Sequence, residues 1–357
     1  DFDFEVGRSP DVELYLDALA TELAEREAEL RDAKLRTLYL GGGTPSLLGI
    51  AGLTRLIDLL RARIDLSHIE EATVELNPEH ASDELVAALP DLGLDRVSLG
   101  VQSFDALALS QLGRVHDPAQ AEAAARRCIA ANLRTSIDLI VGWPGQRDAS
   151  LHDDLARTIA IAPEHVSVYA LTIEAGTPWP KLVRRGLRQL PDDDRQADAI
   201  AFAETTLSAA GYRHYEVASY AKHDAIAQHN TMYWRWRSYV GLGPSAASAR
   251  YEGSGAVVRR TNARGLAAWR ARTPPEIERL DPEAAAREGL WLGLRRLDGF
   301  EVDAYLARFA AIDRAWLHAR IAPALARGDL EQGDDGRLRI APGRWLHADA
   351  IAARLLA

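Results

Sequence analysis

The sequence alternates between short apolar runs and longer segments of helical spacing over residues 13–210, and this alternation constrains the fold more than any other feature. The apolar runs predict buried strands, and leucines and alanines at a 3.6-residue period predict amphipathic helices. Repeated strand–helix units imply a parallel sheet, in an open or closed βα barrel. The predicted strands are 35–40, 71–78, 95–103, 133–141 and 165–172; the predicted helices are 13–30, 46–63, 82–89, one from residue 106, 118–131, 151–161 and 192–210.

The first predicted strand ends in three glycines, Gly41, Gly42 and Gly43, followed by Thr44 and Pro45. Because glycine has no Cβ, a ligand can approach the main-chain N–H groups of such a turn directly. Neither the Gly-Lys-Ser/Thr of a phosphate loop nor the GxGxxG of a dinucleotide fold follows. The turn therefore predicts a binding site without naming the ligand.

Polar residues recur near the ends of the predicted strands. The C-terminal strand ends of a βα barrel form one mouth, so these residues are expected to meet there. Taken singly, each has a structural interpretation, such as a side chain that caps the next helix or bonds a neighbouring loop. Their recurrence favours a shared binding site. The set is Gly42, Gly43, Thr44, Glu75, Gln102, Asp138, Tyr169 and Thr172.

Composition narrows the class of protein. The formal net charge of -10 argues against a nucleic-acid backbone as the main partner. No apolar run approaches the roughly 18 residues of a membrane span, and the N-terminus has no signal peptide. Cys128 is the only cysteine, which excludes an internal disulfide, favours a cytoplasmic location and is interpreted as a small buried thiol. The chain begins at Asp1 rather than at methionine, which indicates that residues precede it.

The C-terminal part has a different pattern. Residues 211–217 alternate like an edge strand, residues 229–237 form the densest aromatic patch, and residues 239–248 are a turn of small residues. Beyond about residue 254, helices are predicted at 282–294, 302–311 and 314–326, with a short strand at 338–340 and a last helix from residue 348. We therefore predict two domains: a βα barrel with its extension at 1–254, and a small α-rich, winged-helix-like domain at 255–357.

Several motifs in order make the chain resemble the radical S-adenosylmethionine family, in the branch around oxygen-independent coproporphyrinogen III oxidase and its HemW-type relatives. The motifs are Gly41-Gly42-Gly43-Thr44-Pro45-Ser46, Val74-Glu75-Leu76-Asn77-Pro78, Gly100-Val101-Gln102-Ser103-Phe104, Leu112-Gly113-Arg114-Val115-His116, Asp138 to Gln146, Leu171 to Pro178, and Gly211 to Ser248. The resemblance covers nearly the whole chain.

The resemblance implies a partial (β/α)6 barrel, with its first strand missing here, that binds S-adenosylmethionine across its mouth. Glycine amides can cradle a carboxylate, a guanidinium can pair with one, and carboxylates suit an ammonium group or ribose hydroxyls. Matched motif by motif, Gly42, Gly43 and Thr44 would contact the methionine end of the cofactor. Glu75, Gln102, Arg114 and Asp138 would line the same cofactor, with Thr172 as a weaker match.

The resemblance also implies a [4Fe–4S] cluster, held in the family by a CxxxCxxC loop whose third cysteine is typically followed by Asp-Phe. This chain starts at Asp1-Phe2, so the ligands are expected upstream of Asp1. One remote thiol, Cys128, cannot replace three thiolates. Residues 1–357 alone therefore hold no cluster, and either the cysteines precede Asp1 or the protein is a truncated relative without the chemistry.

Within the branch, the haem-chaperone group is distinguished by an HNxxYW motif, which here begins at His229-Asn230 and ends at Tyr233-Trp234. A neutral imidazole is a good axial ligand for haem iron, and flat aromatic rings can stack on a porphyrin. His229 is thus the candidate iron ligand, with Tyr233 and Trp234 against the ring and arginines such as Arg235 at its propionates. The structural alternative is that the aromatics pack a domain junction while His229 bonds a loop.

Two other functions remain open. Coproporphyrinogen III oxidase proper has a fourth cysteine two positions after the third cluster cysteine, where this chain has Phe2, so haem binding and delivery to an apoprotein is favoured. A metal-free βα-barrel lyase would use Glu75 and Asp138 as acid and base, which requires a perturbed carboxylate pair in an apolar pocket. Three points stay open at the level of the sequence: which apoprotein receives haem, whether S-adenosylmethionine is cleaved, and whether the protein is a monomer or a homodimer.

Overall fold

The structure is a computed structural model that describes residues 11–31, 33–173 and 179–356. By their contacts, the residues divide into two compact units. The first comprises Asp1–Asp17, Arg31–His214 and Ala218–Ile226; the second comprises Ala18–Leu30, Tyr215–Val217 and Ala227–Ala357. The predicted domain boundary after residue 254 stays a prediction, and limited proteolysis would test it.

A seven-stranded sheet organises the first unit, in the order β1-β2-β3-β4-β5-β7-β6. The first five strands are parallel, and β7 runs antiparallel to β5. The parallel sheet and the edge strand near residue 213 agree with the sequence prediction. The strands are β1 (Thr37–Leu40), β2 (Glu71–Leu76), β3 (Arg96–Gln102), β4 (Arg134–Val141), β5 (His165–Ala170), β6 (Arg213–Glu216) and β7 (Ser219–Ala221).

Helices connect the strands as predicted, apart from the first. The predicted helix 13–30 is two helices, because the chain breaks at Arg26, whose buried side chain bonds Gly241 O at 2.7 Å and Ser248 Oγ at 3.1 Å within the second unit. The helices are α1 (Val12–Glu25), α2 (Glu27–Arg31), α3 (Gly49–Arg61), α4 (Asp83–Ala88), α5 (Ala106–Gln111), α6 (Pro118–Ala130), α7 (Asp148–Ile161), α8 (Trp179–Arg184) and α9 (Asp193–Ala209).

The two faces of this sheet differ in chemistry. On β3, the buried Val97, Leu99 and Val101 alternate with Ser98 and Gln102, so one face is apolar and the other is polar. The parallel register continues the polar face across the sheet, because Ser98 pairs with Ser136 on β4 and Asp138 on β4 pairs with Ser167 on β5. This polar face carries most of the predicted site residues.

The second unit contains two three-stranded antiparallel sheets, ordered β10-β9-β8 and β11-β13-β12. Helix, strand, two helices and two strands follow one another from α12 to β13, so the predicted winged-helix-like arrangement is present. The elements are α10 (Gln228–Trp234), β8 (Ala247–Tyr251), β9 (Val257–Thr261), α11 (Leu266–Arg270), β10 (Glu276–Leu280), α12 (Pro282–Leu294), β11 (Phe300–Glu301), α13 (Val302–Arg308), α14 (Arg314–Ala326), β12 (Leu330–Gln332), β13 (Arg337–Ile340) and α15 (Ala348–Leu356).

The sequence prediction missed the first of these sheets and read residues 239–248 as a turn. Strand β10 is exposed along nearly its whole length and carries Glu276 and Glu278, so it lacks the buried apolar run that signals a strand. Strand β8 begins with small residues that carry little strand preference. Among the described residues, no helix has the length and apolarity needed to cross a membrane. The cytoplasmic location stays a prediction.

Candidate functional site

The glycine turn after β1 and the carboxylate of Glu75 on β2 form one site. Tyr39 Oη donates to Glu75 Oε1 at 2.7 Å, and the Gly42 N–H donates to Oε2 at 3.1 Å. A Cβ on Gly41 would lie 2.7 Å from Glu75 Oε1, so only glycine allows this approach. Burial raises the pKa of Glu75, and the nearby Asp138 raises it further, against the two hydrogen bonds. The glycine turn thus holds a fixed acceptor close to its own amides.

Asp138 stands on β4 among serine hydroxyls. Ser98 Oγ donates to Oδ2 at 2.6 Å and Ser136 Oγ lies 3.2 Å from Oδ1, while a third hydroxyl comes from Ser167 on β5. Burial raises the pKa of Asp138, and the serine hydroxyls and the nearby Arg96 oppose that rise. The strand register explains the cluster, since all these side chains share the polar face. Asp138 is therefore an oriented hydrogen-bond acceptor.

Arg114 and Gln102 meet over Gly100. Arg114 Nη2 donates to Gly100 O at 3.0 Å and to Asn77 Oδ1 at 3.3 Å. A Cβ on Gly100 would lie 2.7 Å from Arg114 Nη2 and 3.0 Å from Gln102 Nε2, so the missing side chain makes room for both. Burial lowers the pKa of Arg114, whereas Glu79 and Asp138 raise it. Its Nε is buried and has no hydrogen-bond partner among residues 11–31, 33–173 and 179–356, which leaves a donor for a ligand.

The remaining predicted residues of this site are less closely tied to it. Gly43 is exposed, and a Cβ there would have no atom within 4 Å. Thr44 precedes the short helical turn Pro45–Leu48. Thr172 lies two residues beyond β5 and is exposed. The Gly176-Thr177-Pro178 turn lies outside the described residues.

The structure thus brings Gly42, Glu75, Gln102, Arg114 and Asp138 together, and their ligand roles stay predictions. Sequence reasoning missed the residues that hold them, namely Tyr39, Asn77, Ser98, Gly100, Ser136 and Ser167. A signal was available, because Ser98, Gly100 and Gln102 alternate along β3 and Ser136 and Asp138 alternate along β4. Polar residues at every second position predict a polar sheet face.

In the second unit, the HNxxYW motif forms helix α10. Positions four apart share a helix face, and His229 Nε2 lies 2.7 Å from Tyr233 Oη. Burial lowers the pKa of His229 to about 4, so its imidazole is neutral at physiological pH. Tyr233 also meets Tyr239 edge-on, with 4.7 Å between ring centroids. The motif presents a neutral imidazole within an aromatic cluster.

The two tryptophans of the aromatic patch differ. The guanidinium of Arg295 lies over the Trp234 ring at 4.8 Å, and the indole N–H of Trp234 is buried without a hydrogen-bond partner in the described part of the chain. Trp236 is buried, packs edge-on against Phe300 and donates to Gly289 O at 2.8 Å. Trp236 is therefore a core residue of the second unit, whereas Trp234 keeps a donor for a ligand.

The residues of this chain do not fit an iron–sulfur cluster. Cys128 is fully buried in α6, and burial raises the pKa of its thiol to about 12, so it is no thiolate at neutral pH. The interpretation of Cys128 as a small buried thiol is confirmed. In the described ranges, no three His, Cys, Asp or Glu side chains are grouped so that they could hold a metal ion. Cluster ligands upstream of Asp1 stay a prediction.

Comparison with known proteins identifies the class. Residues 11–157, which include α1 to β4 and most of α7, match a model described as the Radical SAM superfamily. A solved structure of coproporphyrinogen III oxidase (HemN) from Escherichia coli, a radical SAM enzyme, aligns with a TM-score of 0.81. That alignment covers 98% of this chain and 84% of the other at 22% identity, so it shows a common fold. The partial barrel with a winged-helix-like C-terminal region is thereby confirmed.

The sequence relatives are more specific. Heme chaperone HemW from Mycobacterium tuberculosis (strain CDC 1551 / Oshkosh) is 36% identical over 98% of this chain and 87% of its own length. Heme chaperone HemW from Lactococcus lactis is 34% identical over 84% of this chain and 78% of its own length. The chain belongs to the HemW family of the radical SAM superfamily.

Proposed function

We propose that the protein is a haem chaperone, which binds haem through helix α10 and passes it to an apoprotein. The observation that carries the proposal is the state of His229: half-buried, neutral at physiological pH, and 2.7 Å from the Tyr233 hydroxyl. Neutral imidazole is the form that ligates iron, and a hydrogen bond orients the ring. Family membership supports the same function.

Around the haem, Tyr233 and Trp234 would provide ring contacts, and the unpartnered indole N–H of Trp234 would provide a donor. Arg235 and Arg237 are exposed just beyond the helix and would pair with the propionates. When bound, haem iron accepts an axial ligand, which this chain would supply from His229. The other residues orient the porphyrin and neutralise its carboxylates.

The mouth of the first unit is proposed to bind S-adenosylmethionine. The amide of Gly43 and the guanidinium of Arg114 suit its carboxylate, and Glu75 suits its ammonium group. Gly42, whose N–H donates to Glu75, would contact the methionine end through the rest of its backbone. Asp138, oriented by serines, suits ribose hydroxyls. Gln102, Thr44 and Thr172 complete the proposed contacts. Because the residues of this chain supply no cluster ligands, the proposal covers binding of the cofactor and not its cleavage.

A haem titration tests the proposal. Wild-type protein, His229→Ala and His318→Ala are titrated with haem and followed by the Soret band; His318 is an exposed histidine in the same unit and serves as the matched control. The wild type and His318→Ala should give the same shifted band, and His229→Ala should lose it. An identical Soret spectrum for His229→Ala would remove His229 as the iron ligand.

Two enzymatic alternatives have separate tests. Turnover of coproporphyrinogen to protoporphyrinogen by the full-length protein would replace the chaperone function. One observation supports the lyase alternative: burial raises the pKa of both Glu75 and Asp138, as an acid–base pair would require. Each carboxylate is nevertheless occupied by hydroxyl or amide donors, which favours binding over proton transfer. Sedimentation with and without haem distinguishes a monomer from a homodimer.

A further inference from the structure

The chain makes an unusual turn where β3 ends at Gln102. Gln102 has a φ of +67°, and the Ser103 N–H donates to Val101 O at 2.8 Å. A bond from residue i+2 back to residue i around a positive φ is a γ-turn of the rare, strained kind. A non-glycine residue keeps such a conformation only where its surroundings enforce it. The strain is local to Gln102, whose side-chain amide lies beside Gly100, as the Arg114 guanidinium does.

The two residues after the turn are held by one buried carboxylate, Asp154 on α7. Ser103 Oγ donates to Asp154 Oδ2 at 2.8 Å, and the Phe104 N–H donates to Oδ1 at 2.5 Å. Asp154 is 1% exposed and Ser103 is fully buried. Both oxygens of the carboxylate are therefore committed to the segment that follows Gln102.

The surroundings of Asp154 make its buried carboxylate unfavourable for the stability of the fold. Burial raises the pKa of Asp154 to about 6, the bonds from Phe104 and Ser103 oppose that rise, and the nearby Asp105 and Asp153 add to it. The neighbouring cations are engaged elsewhere, since Arg147 pairs with Asp105 at 3.5 Å and Arg157 with Asp153 at 2.8 Å. In the described part of the chain, no cation lies within ion-pair distance of Asp154. A buried charge without a counter-ion is costly, and the hydrogen bonds that offset this cost for Asp154 come from Ser103 and Phe104.

We propose that Asp154 is the positioning residue for Gln102: its carboxylate clamps Ser103 and Phe104, enforces the strained turn, and so aims the Gln102 amide at the cofactor beside Arg114. The inference rests on the proposed binding of S-adenosylmethionine in this mouth. Asp154 does not touch the cofactor itself. It acts from helix α7 through Ser103 and Phe104, the two residues that follow β3.

A double-mutant cycle tests the inference. S-adenosylmethionine is titrated calorimetrically into the full-length protein, as wild type, Asp154→Asn, Gln102→Ala and the double variant. Asp154→Asn should weaken binding about tenfold, because one of the two bonds is lost. In the Gln102→Ala background the same change should have almost no further effect, since a residue that acts only through Gln102 has nothing left to position. The matched control, Asp153→Asn, is exposed on the same helix and should bind as wild type.

The pH profile gives a second readout that a purely structural role would not move. Above pH 6 the carboxylate is ionised and accepts both bonds; below pH 6 it becomes a neutral acid that resembles asparagine. The difference in affinity between wild type and Asp154→Asn should therefore close as the pH falls from 7 to 5. Asp153→Asn should match the wild type at pH 7 and lose affinity only at a lower pH than the wild type, because Asp153 raises the pKa of Asp154.

The outcomes are distinguishable. If the wild type does not bind S-adenosylmethionine, the cofactor site itself is wrong and this inference falls with it. If the wild type binds and Asp154→Asn binds equally well, only the positioning role is overturned. The same holds if Asp154→Asn reduces the affinity of Gln102→Ala by as large a factor as it reduces the affinity of the wild type. Should Asp154→Asn fail to fold, Ser103→Ala removes one of the same two bonds with a small change in volume, and wild-type affinity for that variant would overturn the role.

Discussion

At the residue scale, Gly43 separates ligand contact from folding. Its φ lies outside the left-handed region and a Cβ there would meet no atom within 4 Å, so the chain tolerates a side chain at this position. Gly43→Val should change the free energy of unfolding by less than about 0.5 kcal/mol. We propose that S-adenosylmethionine approaches the main-chain amides of this turn. The valine side chain should block that approach and weaken binding at least about tenfold.

Calorimetry and denaturant unfolding measure these two quantities on the same variant. Gly42→Val is the comparison, because its φ of +80° makes any side chain strained and should lower both stability and affinity. Unchanged affinity in Gly43→Val would show that the turn does not meet the cofactor.

The contrast between Glu75 and its partners shows what the sequence could predict at this scale. Glu75 and Asp138 were predicted from their positions near strand ends. Tyr39, which bonds Glu75, and Ser98, which bonds Asp138, were not predicted, because such partners depend on the cross-strand register. Register is set by tertiary pairing and is not visible in one strand alone.

At the element scale, Glu22 joins helix α1 to α11 and to the segments that flank β8 and β9 within the second unit. Its buried carboxylate accepts from Gly243 N at 2.9 Å, Asn262 Nδ2 at 2.6 Å and Trp269 Nε1 at 3.0 Å. Glu22→Ala would remove three buried hydrogen bonds, although Asn262 Nδ2 would keep its bond to Gly243 O at 2.7 Å. We expect it to lower the free energy of unfolding by about 3 kcal/mol or more, measured by denaturant titration.

Glu29→Ala is the control, because Glu29 is exposed on α2 and pairs with Arg26 at 2.8 Å, a contact worth at most about 1 kcal/mol. Glu22→Gln keeps one acceptor oxygen and should fall between the two. A loss below about 1 kcal/mol in Glu22→Ala would mean that the three hydrogen bonds contribute little.

Elements differ in how far the sequence determines them. The βα units were predicted because their apolar periods are strong, and α12 to α14 for the same reason. Strands β8 to β10 were missed, because a sheet of exposed and small residues carries no such period. The break at Arg26 was missed too, since the residues that bond its side chain lie more than 200 positions later.

At the scale of the whole molecule, charge is unevenly distributed along the chain. The net charge is -10, yet residues 227–357 contain 20 arginines against 15 acidic residues. Two of these arginines, Arg235 and Arg237, follow the HNxxYW helix. Burial lowers the pKa of Arg296 and Arg308, and Arg235 and Arg237 respectively lower them further, so positive charge is concentrated around the two arginines that follow the helix.

These charges decide the sign of a salt effect on haem association. Haem carries two propionates, so the net charge of the chain would repel it, whereas the arginines would attract it. Because the Debye length is about 10 Å at 0.1 M salt, the nearby arginines should dominate.

We expect the association rate, followed by stopped-flow with monomeric carbonmonoxy haem, to fall severalfold between roughly 50 and 500 mM salt. The double change Arg235→Gln/Arg237→Gln should flatten that dependence, as should haem dimethyl ester, which lacks the carboxylate charges. A rate that rises with salt for the wild type would instead mean that haem meets the acidic part of the molecule first, and would place its entry away from α10.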